Sequence, residues 1–146
     1  MVGSPDLGLT HVAFAVRDLA ASVAFYQAYA AMTIVHRRTD AESGRAVAWL
    51  SDLTRPFVIV LVEVPQTKDT PLGPFGHLGV ACPSREAVDA LCAKAAAAGC
   101  LRRAPKDSGP PVGYWAMLAD PDGNTLELAY GQQVAFTVEE AERFLS

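Results

Sequence analysis

The chain is written twice. Residues 9–16, Leu9-Thr10-His11-Val12-Ala13-Phe14-Ala15-Val16, read as a short strand rich in β-branched and aromatic side chains. Arg17-Asp18-Leu19 follows, and then a helical stretch. Residues 75–81, Phe75-Gly76-His77-Leu78-Gly79-Val80-Ala81, repeat the pattern, with Pro83-Ser84-Arg85 leading into a second helical stretch. The two histidines stand 66 residues apart in a chain of 146, so each copy takes about half of it. Self-similarity at a fixed interval marks a supersecondary unit used more than once, and it constrains the fold more than any local propensity does.

The helices carry the same message. Asp18 is a suitable N-cap for the first, and Leu19, Val23, Tyr26 and Ala30 share one face at steps of four, three and four. Ser84 is the natural N-cap of the second, with Glu86 in the favourable first turn. Val88, Leu91, Cys92 and Ala95 make its apolar face, and Gly99 is placed to end it in a left-handed conformation. Three strands follow each helix: 33–38, 45–50 and 57–64 in the first copy, then 101–103, 113–118 and 125–130 in the second. Asp120-Pro121-Asp122-Gly123-Asn124 is a tight turn, because proline presets φ and glycine supplies a positive one; it should join the last two strands as a hairpin. Thr137 to Glu140 reads as a capping box that starts a short peripheral helix over 137–145.

Each copy is therefore a βαβββ module. The expected architecture is α+β, a single domain over 1–146. Module one covers about 7–65, a Pro-, Gly- and Thr-rich linker 66–74, and module two 75–131. One helix covers one face of each four-stranded sheet, so two modules can turn their other faces into a cupped mixed sheet around a cavity.

Composition removes several classes of function. Twelve Lys and Arg against sixteen Asp and Glu give a net charge of −4, and basic residues adjoin only at Arg37-Arg38 and Arg102-Arg103, which argues against nucleic acid as a partner. The longest strongly apolar run, residues 57–62, falls far short of the ~20 residues a helical membrane span requires. The first six residues have neither a basic nor an apolar segment of a signal peptide. Three cysteines, Cys82, Cys92 and Cys100, form no C-x-x-C pair and fit small buried or half-buried apolar side chains in a reducing cytoplasm.

Chemistry concentrates on three residues. His11 and His77 hold equivalent places on the opening strands of the two copies. One strand histidine is more often a packing or surface residue than a ligand, but two in the same register of a repeat have a shared reason to be there. Glu127 sits in the apolar strand Thr125-Leu126-Glu127-Leu128-Ala129, where a carboxylate is costly unless paired or bound to a metal; by alternation alone it could also face solvent at a sheet edge. Two imidazoles and one carboxylate on one side of an ion leave positions open for substrate, and they suit Fe(II), Mn(II), Zn(II) or Ni(II). His36, among Arg37, Arg38 and Asp40, reads as an exposed residue.

Taken together, several motifs make residues 9–130 resemble the vicinal oxygen chelate superfamily of glyoxalase I, extradiol dioxygenases and the fosfomycin- and bleomycin-resistance proteins. They are the His11 strand with Val16-Arg17-Asp18-Leu19, the helix containing Phe25-Tyr26, Gly76-His77-Leu78, and the Asp120–Asn124 turn leading to Leu126-Glu127. The resemblance implies paired βαβββ modules assembled as homodimers, with His11, His77 and Glu127 on metal-ligand positions. It implies a divalent metal acting as a Lewis acid on two neighbouring oxygens of a small-molecule substrate, in a glyoxalase- or dioxygenase-like reaction. The alternative it carries is a non-catalytic binder of the bleomycin-resistance kind. Glu127 is also a candidate catalytic residue, as are Tyr114 and Tyr130, although ordinary aromatic packing accounts for either tyrosine. Trp49, Trp115 and Met117 suit an apolar pocket or a core equally. Glyoxalase I has a fourth ligand, a carboxylate on the last strand of its first module. Here a shift of 66 from Glu127 lands on Leu61, and Glu63 is the only acid nearby.

Overall fold

The computed structural model describes residues 5–68 and 72–146, so the first four residues and the middle of the linker lie outside the description. The elements run β1 (His11–Val16), α1 (Leu19–Ala30), β2 (Thr33–Thr39), β3 (Ala46–Ser51), β4 (Val58–Glu63), β5 (His77–Ala81), α2 (Arg85–Ala97), β6 (Leu101–Asp107), β7 (Tyr114–Ala119), β8 (Thr125–Tyr130) and α3 (Val134–Leu145). Two compact units result. The first comprises Met1–Gly73 with Pro121–Gly123, the second Pro74–Asp120 with Asn124–Ser146. The α+β class and the duplicated βαβββ order are as the sequence predicts.

In the first unit the sheet order is β1-β4-β3-β2, with β1 parallel to β4 and the other pairs antiparallel. Asp18 caps α1 by accepting the Ala21 N–H at 3.0 Å. The face of α1 that carries Leu19, Val23, Tyr26 and Ala30 is buried. Below it lie Phe14 and Val16 of β1, Leu50 of β3, and Ile59 and Leu61 of β4, all nearly or fully buried. Burying each such side chain contributes about 1.5–3 kcal/mol, so this layer dominates the unit's stability.

The second unit repeats the plan: order β5-β8-β7-β6, β5 parallel to β8, the rest antiparallel. Ser84 caps α2 through the Ala87 N–H at 3.0 Å, and Gly99 follows the helix with φ +77°. Val88, Cys92 and Ala95 of α2 are buried, as are Ala116 and Leu118 of β7 and Leu126 and Leu128 of β8. The Asp120–Asn124 turn closes the β7–β8 hairpin, with the Asp120 N–H bonded to the Asn124 carbonyl at 2.8 Å. Cys92 is buried and Cys82 and Cys100 half-buried, all three as free thiols. Burial pushes the Cys82 and Cys92 thiols above their ordinary pKa.

Two boundaries differ from the sequence reading by three residues or more. Strand β6 runs on to Asp107 rather than stopping at 103. Pro105 argues against a strand, but β6 is an edge strand and its register breaks between Arg103 and Lys106, which is where proline is tolerated. Helix α3 begins at Val134, three residues before the expected start. Thr137 is inside it: its N–H and hydroxyl both bond to the Gln133 carbonyl, so it does not cap the helix. None of the described helices is long and apolar enough to cross a membrane.

Candidate functional site

The β ladder of the second unit decides which side chains share a face. Gly79 and Met117 both stand opposite Glu127, and Trp115 stands opposite Ala129. Directly opposed residues point to the same side of a sheet. His77, Gly79, Trp115, Met117 and Glu127 therefore occupy one face, and the buried Ala116, Leu118, Leu126 and Leu128 occupy the face covered by α2.

On that open face His77 and Glu127 come together, with His77 Nε2 4.0 Å from Glu127 Oε1. Their side chains are 26% and 13% exposed, so neither is a freely solvated group. His77 Nδ1 lies 2.9 Å from the Phe75 carbonyl oxygen. A carbonyl only accepts, so Nδ1 carries the proton, and in the neutral ring Nε2 offers a lone pair. A backbone carbonyl on the far nitrogen is the usual way a ligating histidine is oriented. Glu127 is held as well: its Oε2 accepts from the Gln132 side-chain amide at 2.9 Å. A methyl group at Gly79 would touch Oε2 at 3.5 Å, so the absence of a side chain there keeps space open beside the carboxylate. Lone pair and carboxylate both accept, and a cation or a proton is what joins two acceptors at this distance.

His11 belongs to the first unit. It opens β1, and its Nδ1 lies 2.9 Å from the Thr10 hydroxyl, which can donate or accept. The ladder puts His11 and Ala13 opposite Val58 and Val60, with Trp49 opposite Val60, all on the sheet face away from α1. His11, Ala13, Trp49, Val58 and Val60 line one groove there, of about 480 Å³. Among the described residues no three His, Cys, Asp or Glu side chains gather as a metal-holding cluster.

The ladder also settles which first-module residue corresponds to Glu127. Glu127 faces the residue two beyond His77, and the residue facing the position two beyond His11 is Val60. Leu61, reached by a fixed shift of 66, points the other way and is fully buried. Glu63 shares that parity, and its Oε2 accepts the Leu19 N–H at 2.9 Å at the start of α1. The first module thus has an apolar residue where the second has its carboxylate.

Tyr114 is not part of the His77–Glu127 group. It has the parity of Ala116 and Leu118, donates its hydroxyl to Asp89 of α2, and lies under the Arg85 guanidinium, 4.3 Å from the ring centroid. The bond to Asp89, followed by burial, raises its pKa. Tyr130 stands opposite Tyr114 and is largely exposed.

Three features of the two faces escape a residue-by-residue reading. Gln132 lies beyond the last strand, and nothing in its neighbourhood marks it as a partner of Glu127. Arg38 lies over Trp49, 5.9 Å from the ring centroid, and Arg103 lies over Trp115 at 5.0 Å. The chain's two tryptophans are spaced by the same 66 residues as His11 and His77, but the ladder does not make them counterparts: Trp49 stands opposite Val60, and Met117 opposite Glu127.

Comparison with known proteins agrees with this architecture. Residues 8–128 match the model of the Glyoxalase/Bleomycin resistance protein/Dioxygenase superfamily. Uncharacterized protein PA2024 of Pseudomonas aeruginosa is 40% identical over 126 residues, which covers 85% of this chain and 89% of that protein. Among solved structures, the trypanothione-dependent glyoxalase I of Leishmania major superposes with a TM-score of 0.68 at 21% identity, covering 96% of both chains. A mutant of the fosfomycin resistance protein FosX from Listeria monocytogenes, complexed with Mn(II) and 1S,2S-dihydroxypropylphosphonic acid, gives 0.64 at 21% identity, covering 90% of this chain and 97% of that one. The duplicated modules, their strand order and the family match lead to one conclusion: the chain belongs to the Glyoxalase/Bleomycin resistance protein/Dioxygenase superfamily.

Proposed function

We propose that this protein is a divalent-metal-dependent enzyme acting on two neighbouring oxygens of a small molecule, with His11, His77 and Glu127 as the protein ligands. The observation that carries the reading is the His77–Glu127 pair: a ring whose tautomer is set by the Phe75 carbonyl, with its other nitrogen 4.0 Å from a carboxylate oxygen. The donor set fits an ion, since both groups offer lone pairs and Gly79 leaves room beside them. Val60 in the place of a second carboxylate favours a three-ligand set over the four of glyoxalase I. The Mn(II) in the FosX neighbour supports the same class of ion.

When bound, the ion supplies Lewis-acid stabilisation of negative charge on the substrate oxygens. The protein's own part is positional. The Phe75 carbonyl fixes the His77 ring, and the Gln132 amide fixes one oxygen of Glu127. Oε1 of Glu127, 4.0 Å from His77 Nε2, would then hold the ion beside that ring, and Oε2, next to the space at Gly79, is the atom able to take a proton from, or return one to, a substrate carbon or hydroxyl. The ligands come from both modules, within one chain or across two copies of a homodimer.

Metal analysis of protein purified without chelator, together with Mn(II) titration followed by the spin resonance of the free ion, tests the reading. We expect close to one ion per three-ligand site, and at least tenfold weaker uptake in His77→Ala, His11→Ala and Glu127→Gln. Wild-type protein that takes up no ion, or variants that bind as well as wild type, would overturn it. Ligand binding by protein that takes up no ion would instead mark a non-catalytic binder.

A further inference from the structure

We infer that the groove on the His11 face of sheet one is a binding site for a flat organic anion, an apolar or aromatic body carrying a carboxylate-type group, with Arg38 and Arg55 holding the charge and Trp49 the flat body. The inference deepens the metal-enzyme reading and rests on it for one point, that the bound anion is the substrate; the recognition itself stands on the groove alone.

The groove has the volume of a small-molecule site. Its apolar wall is Val35, Trp49, Phe57, Val58 and Val60. Trp49 is the anomaly in its strand. Its neighbours Ala48 and Leu50 are fully buried and Val47 nearly so, whereas Trp49 remains 36% exposed. Arg38 and the His36 ring, 4.8 Å between ring centroids, take part of its surface, and the part still exposed lines the concave wall, where a flat ligand can cover it. Among the described residues no acceptor meets its indole N–H, whereas the Trp115 N–H is bonded to the Ser108 hydroxyl at 2.8 Å.

Two guanidinium groups reach the same groove from different elements, Arg38 from β2 and Arg55 from the turn before β4. Neither forms an ion pair among the described residues; the Nε of Arg55 makes one long bond to the Thr54 hydroxyl, 3.4 Å. Asp40 and Asp52 lie within electrostatic range of Arg38 and Arg55 respectively, and among the described residues Asp6 is the one acid on the groove wall. Asp40 is already engaged by the Ser43 amide and hydroxyl, and Asp52 by the Thr54 amide and hydroxyl. The donors of both arginines are therefore available to a ligand. A guanidinium can stack on an indole and bind a carboxylate through its edge at the same time. Arg38 over Trp49 is in that arrangement.

Fluorescence of the full-length Trp115→Phe variant, in which Trp49 is the only tryptophan, gives a local readout. The probes are benzoate, its neutral isostere benzamide, and inorganic phosphate, each titrated into EDTA-treated and Mn(II)-loaded protein. We expect a saturable change with benzoate, at least tenfold weaker binding of benzamide and of phosphate, and at least a tenfold loss for benzoate in Arg38→Ala/Arg55→Ala. Arg37→Ala is the control, because Arg37 stands opposite the buried Ala48 on the other face; it should bind benzoate as the parent does. Circular dichroism confirms that each variant is folded, which the exposure of these arginines favours. Equal binding of benzamide, the absence of any saturable change, or unchanged binding in the double variant would overturn the inference. The two readings fail separately. Arginine-dependent benzoate binding in protein that takes up no Mn(II) removes the metal and leaves the anion site. Mn(II) uptake with arginine-independent binding does the reverse.

Discussion

Asp122 shows how much one side chain can carry. Its Oδ1 accepts the Arg17 backbone N–H at 2.8 Å and the Arg17 guanidinium at 3.1 Å, and its Oδ2 accepts the Ser22 hydroxyl at 3.2 Å. The carboxylate is almost fully buried while Arg17 keeps more than a third of its surface, so the ion pair itself is partly screened and the loss of the hydrogen bonds matters more. Asp122→Ala strands the Arg17 amide and the Ser22 hydroxyl, and it should cost about 2–3 kcal/mol. Urea denaturation checks this as a lower midpoint at an unchanged slope, with Asp122→Asn losing less because the amide keeps an accepting oxygen. A cost within error of zero would mean that these bonds are replaced by water without penalty. The sequence marks Asp122 only as a member of a turn. Turn chemistry is local and legible; the partners of a turn's side chain lie about a hundred residues away and are not.

At the scale of elements, the segment after β8 ties structure to site. Gly113 precedes β7 with φ +81°, and a methyl group there would lie 2.6 Å from the Tyr130 carbonyl oxygen and 2.8 Å from the Gly131 carbonyl carbon. Two residues further along that backbone is Gln132, the partner of Glu127. Gly113→Ala therefore meets both conformational strain and a backbone clash, and about 2 kcal/mol or more of destabilisation is expected. Gly109→Ala isolates the first component, since Gly109 also has a positive φ, +69°, but faces open space; about 1 kcal/mol is expected there. If thermal denaturation puts the two variants level, the close approach to Tyr130 plays no part. Gly113→Ala should also weaken Mn(II) uptake by displacing Gln132, an effect that Gly109→Ala should not share. Helices α1 and α2 are readable from the sequence because caps and apolar spacing are local. Strand β6 is under-read because its proline is permitted only by an edge position, which no local pattern reveals. The start of α3 is misplaced because a capping-box pattern was present but went unused.

Over the whole molecule, duplication makes the candidate site interpretable and also limits how far counting along the chain can go. The interval of 66 residues relates His11 to His77, but the stretch from the opening to the closing strand is one residue longer in module two. A fixed shift therefore takes Glu127 to the buried Leu61, and the ladder takes it to Val60 on the His11 face. One residue of slip exchanges the two faces of a strand, so a repeat identifies a module more reliably than it assigns a ligand. Val60→Glu tests the correspondence. Without metal, a carboxylate half-buried among Ala13, Trp49 and Val58 should cost about 1–3 kcal/mol and lower the melting temperature. If His11 is a ligand, the new carboxylate adds a fourth to the set, and Mn(II) should restore the lost stability and bind at least tenfold tighter than to wild type. Leu61→Glu, with its carboxylate directed into the α1 layer, should cost more and gain nothing from the ion. Val60→Glu binding Mn(II) no better than wild type would remove His11 from the ligand set and leave His77 and Glu127 as a pair served by the second module alone.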